Sequence, residues 1–141
     1  MLKEVEVVGN LIGNTAYKMN IDGHDIIIDT SVENGGNDLG PRPKALMLAS
    51  LIGCTGIDVK MILDKMKVKI DDIQIKVRAT ATEEHPKVYT SFHVIYEFKG
   101  TDLDIRKIEK AVKLSQEKYC GVTAMLRMIG PVTHEIVIRN I

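Results

Sequence analysis

From Lys44 to Met66, just behind Pro43, Leu, Met, Ala and Ile fill about half the positions, and the first half of this run, through Ile57, is apolar almost all round. Proline suits the first turn of a helix, where its missing N–H is harmless. A helix apolar on every side must be covered on every side, and Asp58, Lys60, Asp64, Lys65 and Lys67 return polarity only in the second half. A long, central, enclosed helix is expected, with Cys54 inside it. Its apolar part, Ala45 to Ile57, is interrupted by Ser50, Gly53, Thr55 and Gly56 and falls short of the roughly 18 residues of a membrane span. No membrane partner is therefore expected.

Around this helix the periodicity changes to two. Glu4 to Val8, Tyr17-Met19-Ile21 and the run after Asp22-Gly23 predict an N-terminal antiparallel sheet with a tight turn at Asp22-Gly23. Ser31 to Pro43 is dense in turn formers and predicts a long loop without regular structure. Ile73 to Ala81 and Val88 to Phe98 alternate as a second antiparallel hairpin, separated by Glu83-Glu84-His85-Pro86. Asp104 can cap a helix with Ile105, Ile108, Val112, Ser115 and Tyr119 on one face, ending near Cys120-Gly121. Val122 to Met128 predicts a short helix, and Val132, His134, Ile136 and Ile138 a last strand. With both periods mixed and no linker or repeat, the class is α+β, and residues 1–141 are expected to form a single domain.

Charge narrows the function classes. Lys plus Arg is 19 and Asp plus Glu is 19, interspersed rather than blocked, so no net field draws the protein to nucleic acid. The first ten residues have neither a basic leader with an apolar core nor an Arg-rich transit pattern, so a cytoplasmic protein is expected. Two cysteines sixty-six positions apart, in such a compartment, are either inert core thiols or redox groups.

Cys54 lies between Gly53 and Thr55-Gly56, and two glycines in a helix cost about 1 kcal/mol each relative to alanine. Either a substrate needs room to reach the sulfur, or another element packs closely and Cys54 is a small hydrophobe. Cys120 sits where one helix ends and another starts, and free N–H groups there favour a thiolate. His24, His85, His93 and His134 could in principle join the cysteines around a metal, but neither Cys-x-x-Cys nor His-x-x-x-His spacing occurs, so no metal is expected. His93 and His134, on strands, read as structural. No Gly-x-Ser-x-Gly elbow, Gly-x-Gly-x-x-Gly or Walker pattern is present.

Two segments carry a resemblance. Gly35-Gly36-Asn37-Asp38-Leu39-Gly40-Pro41-Arg42-Pro43 leading to Leu51-Ile52-Gly53-Cys54-Thr55-Gly56-Ile57-Asp58-Val59, and Leu114-Ser115-Gln116-Glu117-Lys118-Tyr119-Cys120-Gly121-Val122, together resemble the signature segments of the OsmC/Ohr family of small cysteine-based peroxide-reducing proteins. The sequence is more similar to its less characterised OsmC-like branch than to the dedicated organic hydroperoxide resistance proteins. The resemblance implies an intertwined homodimer with antiparallel sheets around a buried central helix. It also implies thiol peroxidation: Cys54 attacks a hydroperoxide, becomes a sulfenic acid and is captured by Cys120, and an external dithiol reduces the disulfide. No cofactor is implied.

The sequence departs from that pattern at one pair. Family members activate the first cysteine with an arginine from the N-terminal β region, held by a glutamate ten residues before that cysteine. Here no arginine precedes Arg42, and the position ten before Cys54 is Lys44. Ten residues of helix span about 15 Å, so Lys44 cannot reach the thiol along its own helix, and Arg42 on the loop is the candidate thiolate-stabilising group. Without that pair, two other functions fit the same fold: a non-enzymatic module binding a small apolar ligand, or a redox sensor. Met47, Leu51 and Met61 are candidate pocket walls.

Overall fold

A computed structural model describes residues 1–141, which form two compact units, Met1–Met47 and Leu48–Ile141. In the first, β1 (Gly9–Leu11), β2 (Tyr17–Ile21) and β3 (His24–Ile28) make an antiparallel sheet in that order. Asp22 and Gly23 turn the hairpin with φ of 53° and 86°, the left-handed values that such a turn requires. The expected strand at Glu4 to Val8 does not form; the first strand starts at Gly9. Strand propensity is realised only where a paired neighbour exists, and the register pairs Gly9–Leu11 with β2 while Val5, Val7 and Val8 stay exposed.

The glycine-rich loop is clamped by one carboxylate. Buried Asp29 accepts hydrogen bonds from Thr15 Oγ1 (2.6 Å) and from the backbone N–H groups of Thr30 (2.7 Å), Asn37 and Leu39 (both 3.1 Å). A Cβ on Gly36 would lie 2.4 Å from the Thr30 carbonyl oxygen and 2.8 Å from Asp29 Oδ1, so the loop can close only around glycine. The loop was expected to lack regular structure, yet it includes one 3₁₀ turn, Val32–Asn34.

α1 (Pro43–Lys65) follows. Within the second unit it buries Leu51, Thr55, Val59 and Leu63, residues four apart and therefore on one stripe. Ile57 and Met61 are 63% and 55% exposed. The expectation of a helix enclosed on every side is thus corrected for the single chain: the sheet has one face to offer and covers one stripe.

That sheet has the order β4-β5-β6, from β4 (Asp72–Ala81), β5 (Tyr89–Gly100) and β6 (Val132–Asn140). β5 is central, and its alternate residues Phe92, Val94, Tyr96 and Phe98 form the core with the α1 stripe and with Ile108, Ala111 and Val112 of α2 (Ile105–Leu114). Asp104 caps α2 through the N–H groups of Arg106 and Lys107, as its position predicts. β4 and β5 are antiparallel, but β6 runs parallel to β5. Parallel neighbours need a crossover, here supplied by α2, a π-helical turn at Ser115–Tyr119, and α3 (Gly121–Arg127). The helix expected to continue to Cys120 therefore changes its winding at Ser115.

The glycines beside Cys54 have separate roles. A Cβ on Gly56 would sit 3.0 Å from Ile75 Cδ1, so Gly56 lets α1 approach β4, whereas a Cβ on Gly53 would meet nothing within 4 Å.

Candidate functional site

α1, the π turn and the start of α3 bring three reactive groups together. Cys54 and Asp58 stand one turn apart on α1 and so share a face. Cys120 is the N-cap of α3, with φ −78° and ψ 100°, and its Sγ accepts the Thr123 backbone N–H at 3.4 Å. The two sulfurs and a carboxylate oxygen of Asp58 all lie within 4.8 Å of one another. Both thiols are free; Cys54 is half-buried and Cys120 buried.

Burial pushes the Cys120 thiol up from its ordinary pKa, and the adjacent Cys54 pushes in the same direction. Thr123 opposes them: its N–H, and a buried hydroxyl with no conventional partner, both act on the sulfur and favour the thiolate.

Behind Asp58 runs a chain of hydrogen bonds, buried at its centre and part-buried at its ends, whose direction is fixed at both ends. Arg127 donates to the Gln116 carbonyl (2.7 Å) and to Gln116 Oε1 (3.4 Å), which turns the amide Nε2 toward Tyr96 Oη at 2.5 Å. Tyr96 then has one proton left to give, and its remaining neighbour is Thr55 Oγ1 at 2.6 Å. Thr55, having accepted, donates to Ser115 Oγ at 2.7 Å. Ser115 donates to Asp58 Oδ2 at 3.1 Å. A hydroxyl carries a single proton, so each link points from Arg127 toward the carboxylate. Burial raises the Tyr96 phenol pKa, outweighing its hydrogen bonds with Thr55 and Gln116, and so keeps it a neutral donor.

Ser115 and Gln116, both buried, lie in the π turn, and such turns are frequent at functional sites. Beside Asp58 a groove of about 420 Å³ is lined by Met61, Ile62, Met66, Leu114 and Tyr119, with Lys65 and Lys110 among its walls.

Of the residues singled out in the sequence, Cys54 and Cys120 meet. Arg42 lies in the N-terminal unit, where its Nη1 binds Asp38 (2.8 Å) and the Gly40 carbonyl (2.9 Å). Of the candidate walls, Met61 lines the groove, Leu51 is core and Met47 is 40% exposed. His93 bonds Thr133 and Glu135 across the sheet, and His134 packs edge-on to Tyr96. Sequence reasoning missed Asp58, Thr55, Tyr96, Gln116, Thr123 and Arg127 as site residues. The spacing of Cys54 and Asp58 on a helix was the available signal for the first; the rest converge only through the fold.

The pattern of OsmC-like proteins matches residues 35–135, a span that includes both thiols and the whole hydrogen-bond chain from Arg127 to Asp58. Protein YhfA of Escherichia coli K12 is 33% identical over 122 residues, covering 86% of this chain and 88% of that protein. The crystal structure of a hypothetical protein from Aquifex aeolicus superposes with a TM-score of 0.86 at 28% identity, covering 99% of both chains. The organic hydroperoxide resistance protein OhrB of Bacillus subtilis shares the fold, with a TM-score of 0.63 at 18% identity over 94% of this chain and 98% of that one. The meeting of Cys54 with Cys120 thus occurs on a known architecture, and the chain belongs to the family of OsmC-like proteins.

Proposed function

We propose that the protein is a cytoplasmic thiol-dependent peroxidase that reduces organic hydroperoxides, working as a homodimer and recycled by an external dithiol. The observation that supports this reading is the pairing of a half-buried thiol with a buried one, 4.8 Å apart or less, beside a carboxylate. Cys54 is the thiol a substrate can reach, so it attacks; Cys120 resolves.

In the first step Cys54 Sγ attacks the terminal peroxide oxygen and the O–O bond breaks. The Asp58 carboxylate, within 4.8 Å of the sulfur, takes the Cys54 proton as the sulfur attacks and passes it to the departing alkoxide, so that thiol and hydroperoxide become sulfenic acid and alcohol. Such general acid–base assistance contributes typically about 10²–10⁴-fold. With this acceptor in place, the attack does not depend on Arg42 or on a distant cation.

In the second step Cys120 attacks Cys54, a disulfide forms and water leaves with the Cys120 proton. The Thr123 N–H and hydroxyl favour the attacking thiolate. A dithiol then exchanges with the disulfide, returning both protein thiols and leaving as its own disulfide. The apolar groove beside Asp58 suits an apolar tail on the hydroperoxide.

The test is intact mass and thiol titration of the reduced protein after one equivalent of cumene hydroperoxide. Wild type is expected to lose two thiols and two hydrogens, and Cys120→Ser to stop at a sulfenic acid on Cys54. Survival of both thiols in excess hydroperoxide overturns the peroxidase reading and leaves a ligand-binding module.

A further inference from the structure

We propose that Cys54, Asp58 and Cys120 also form a binding site for one thiophilic divalent cation of the zinc class, held by the two sulfurs and one Asp58 carboxylate oxygen. The three ligand atoms already lie within 4.8 Å of one another. Around a tetrahedral zinc, ligand atoms stand about 3.5–3.8 Å apart. The difference is an ångström or so, which side-chain rotation at Cys54 and Asp58 supplies without moving α1.

The charges favour the exchange. In the reduced protein the cluster holds two thiol protons and one carboxylate, a formal charge of −1. When a divalent cation enters, both thiols lose their protons, two hydrogen ions leave, and two thiolates, one carboxylate and the cation again sum to −1. No net charge is added to a half-buried site, so the exchange escapes the desolvation penalty that a lone thiolate there meets.

The surroundings are those of a supported site. Ser115 Oγ holds Asp58 Oδ2 at 3.1 Å and leaves the second carboxylate oxygen to a cation. The Thr123 N–H lies on Cys120 Sγ, and its buried hydroxyl, which lacks a conventional partner, gains a full acceptor once that sulfur is a thiolate. Outer contacts of this kind orient metal ligands and change affinity by roughly 10–100-fold when removed. Three protein ligands leave a fourth position for water or another small ligand. The absence of Cys-x-x-Cys spacing hid the site in the sequence, because its ligands come from α1 and from the N-cap of α3.

Metal and peroxide then exclude each other. Thiolates held by a cation cannot form a disulfide, and the disulfide cannot ligate it. The cation is an inhibitor that protects the thiols.

The experiment titrates the reduced, metal-stripped full chain with Co²⁺ and follows sulfur-to-cobalt charge transfer, with Zn²⁺ as competitor and proton release read in weak buffer. One ion per chain, displaced by Zn²⁺, with close to two protons released per ion, is expected. Cys54→Ser and Cys120→Ser should lose the charge-transfer band or most of it, and Ser115→Ala should weaken binding roughly tenfold or more. Because Cys120→Ser could disturb the core, alkylation of Cys54 in folded wild type provides a second block that must also abolish the band. Absence of the band in reduced wild type, or a stoichiometry unchanged by Cys54 alkylation, overturns the site. Peroxide consumption in chelator separates this from the peroxidase reading. Thiol loss in chelator with no cobalt band sinks only the metal site, whereas a cobalt band with peroxide-inert thiols sinks only the peroxidase.

Discussion

At the residue scale, Asp58 and Tyr96 separate chemistry from stability. Asp58→Asn keeps the shape and can still accept from Ser115, but it cannot take the Cys54 proton. Thiol loss on mixing with cumene hydroperoxide should slow about 10²-fold or more, within the range of general acid–base assistance, while the thermal midpoint changes little. A rate within threefold of wild type would remove Asp58 from the mechanism. Tyr96→Phe acts differently. It leaves the Gln116 amide without its acceptor and Thr55 without its donor inside the core. Unsatisfied buried partners cost about 1–3 kcal/mol, so urea denaturation should show a loss in that range.

At the element scale, glycine substitutions in α1 test what each position does. Gly53→Ala adds a methyl group in open space and gains helix propensity, so it should stabilise by about 0.5–1 kcal/mol in urea denaturation. Gly56→Ala gains the same propensity but meets Ile75 Cδ1 at 3.0 Å, so it should be clearly less favourable than Gly53→Ala. The N-terminal loop has a pH signature. Asp29 has its carboxyl lowered to about 2, first by the Thr15 hydroxyl and then by the backbone N–H of Leu39, with those of Thr30 and Asn37 adding to them. Its folded pKa lies below the unfolded value of about 3.9. Its stabilisation is therefore complete above about pH 4 and is lost as pH falls toward 2. Amide hydrogen exchange at Asn37 and Leu39 should accelerate across that window relative to β2 and β3, and in Asp29→Asn it should be fast already at pH 5.

At the scale of the whole molecule, the apolar residues left outside are the main anomaly. Ile57, Met61, Tyr119, Met125, Met128 and Ile129 are each more than half exposed, Met61 and Tyr119 on the walls of one groove, and large exposed apolar surface marks association. With the resemblance implying an intertwined pair, a homodimer is expected in sedimentation velocity. Met61→Glu should shift it toward monomer, and a wild-type monomer at tens of micromolar would remove the dimer from the proposal.

The sequence by itself determined the elements and the two thiols. Alternation marked β4 and β5, Asp22-Gly23 marked a hairpin, Pro43 and Asp104 marked helix starts, and the segments around Cys54 and Cys120 marked the family. These are local signals, written within a few residues of where they act. Only the tertiary structure decided the rest. The absence of a strand at Glu4 to Val8 depended on which residues find a paired neighbour, and the parallel placement of β6 on the crossover through α2 and α3. The route from Arg127 to Asp58 joins three segments, β5, α1 and the crossover helices, and no spacing along the chain encodes it. A hydrogen bond depends on distances of about 3 Å in space, which residues separated by forty or sixty positions acquire only when the core has packed.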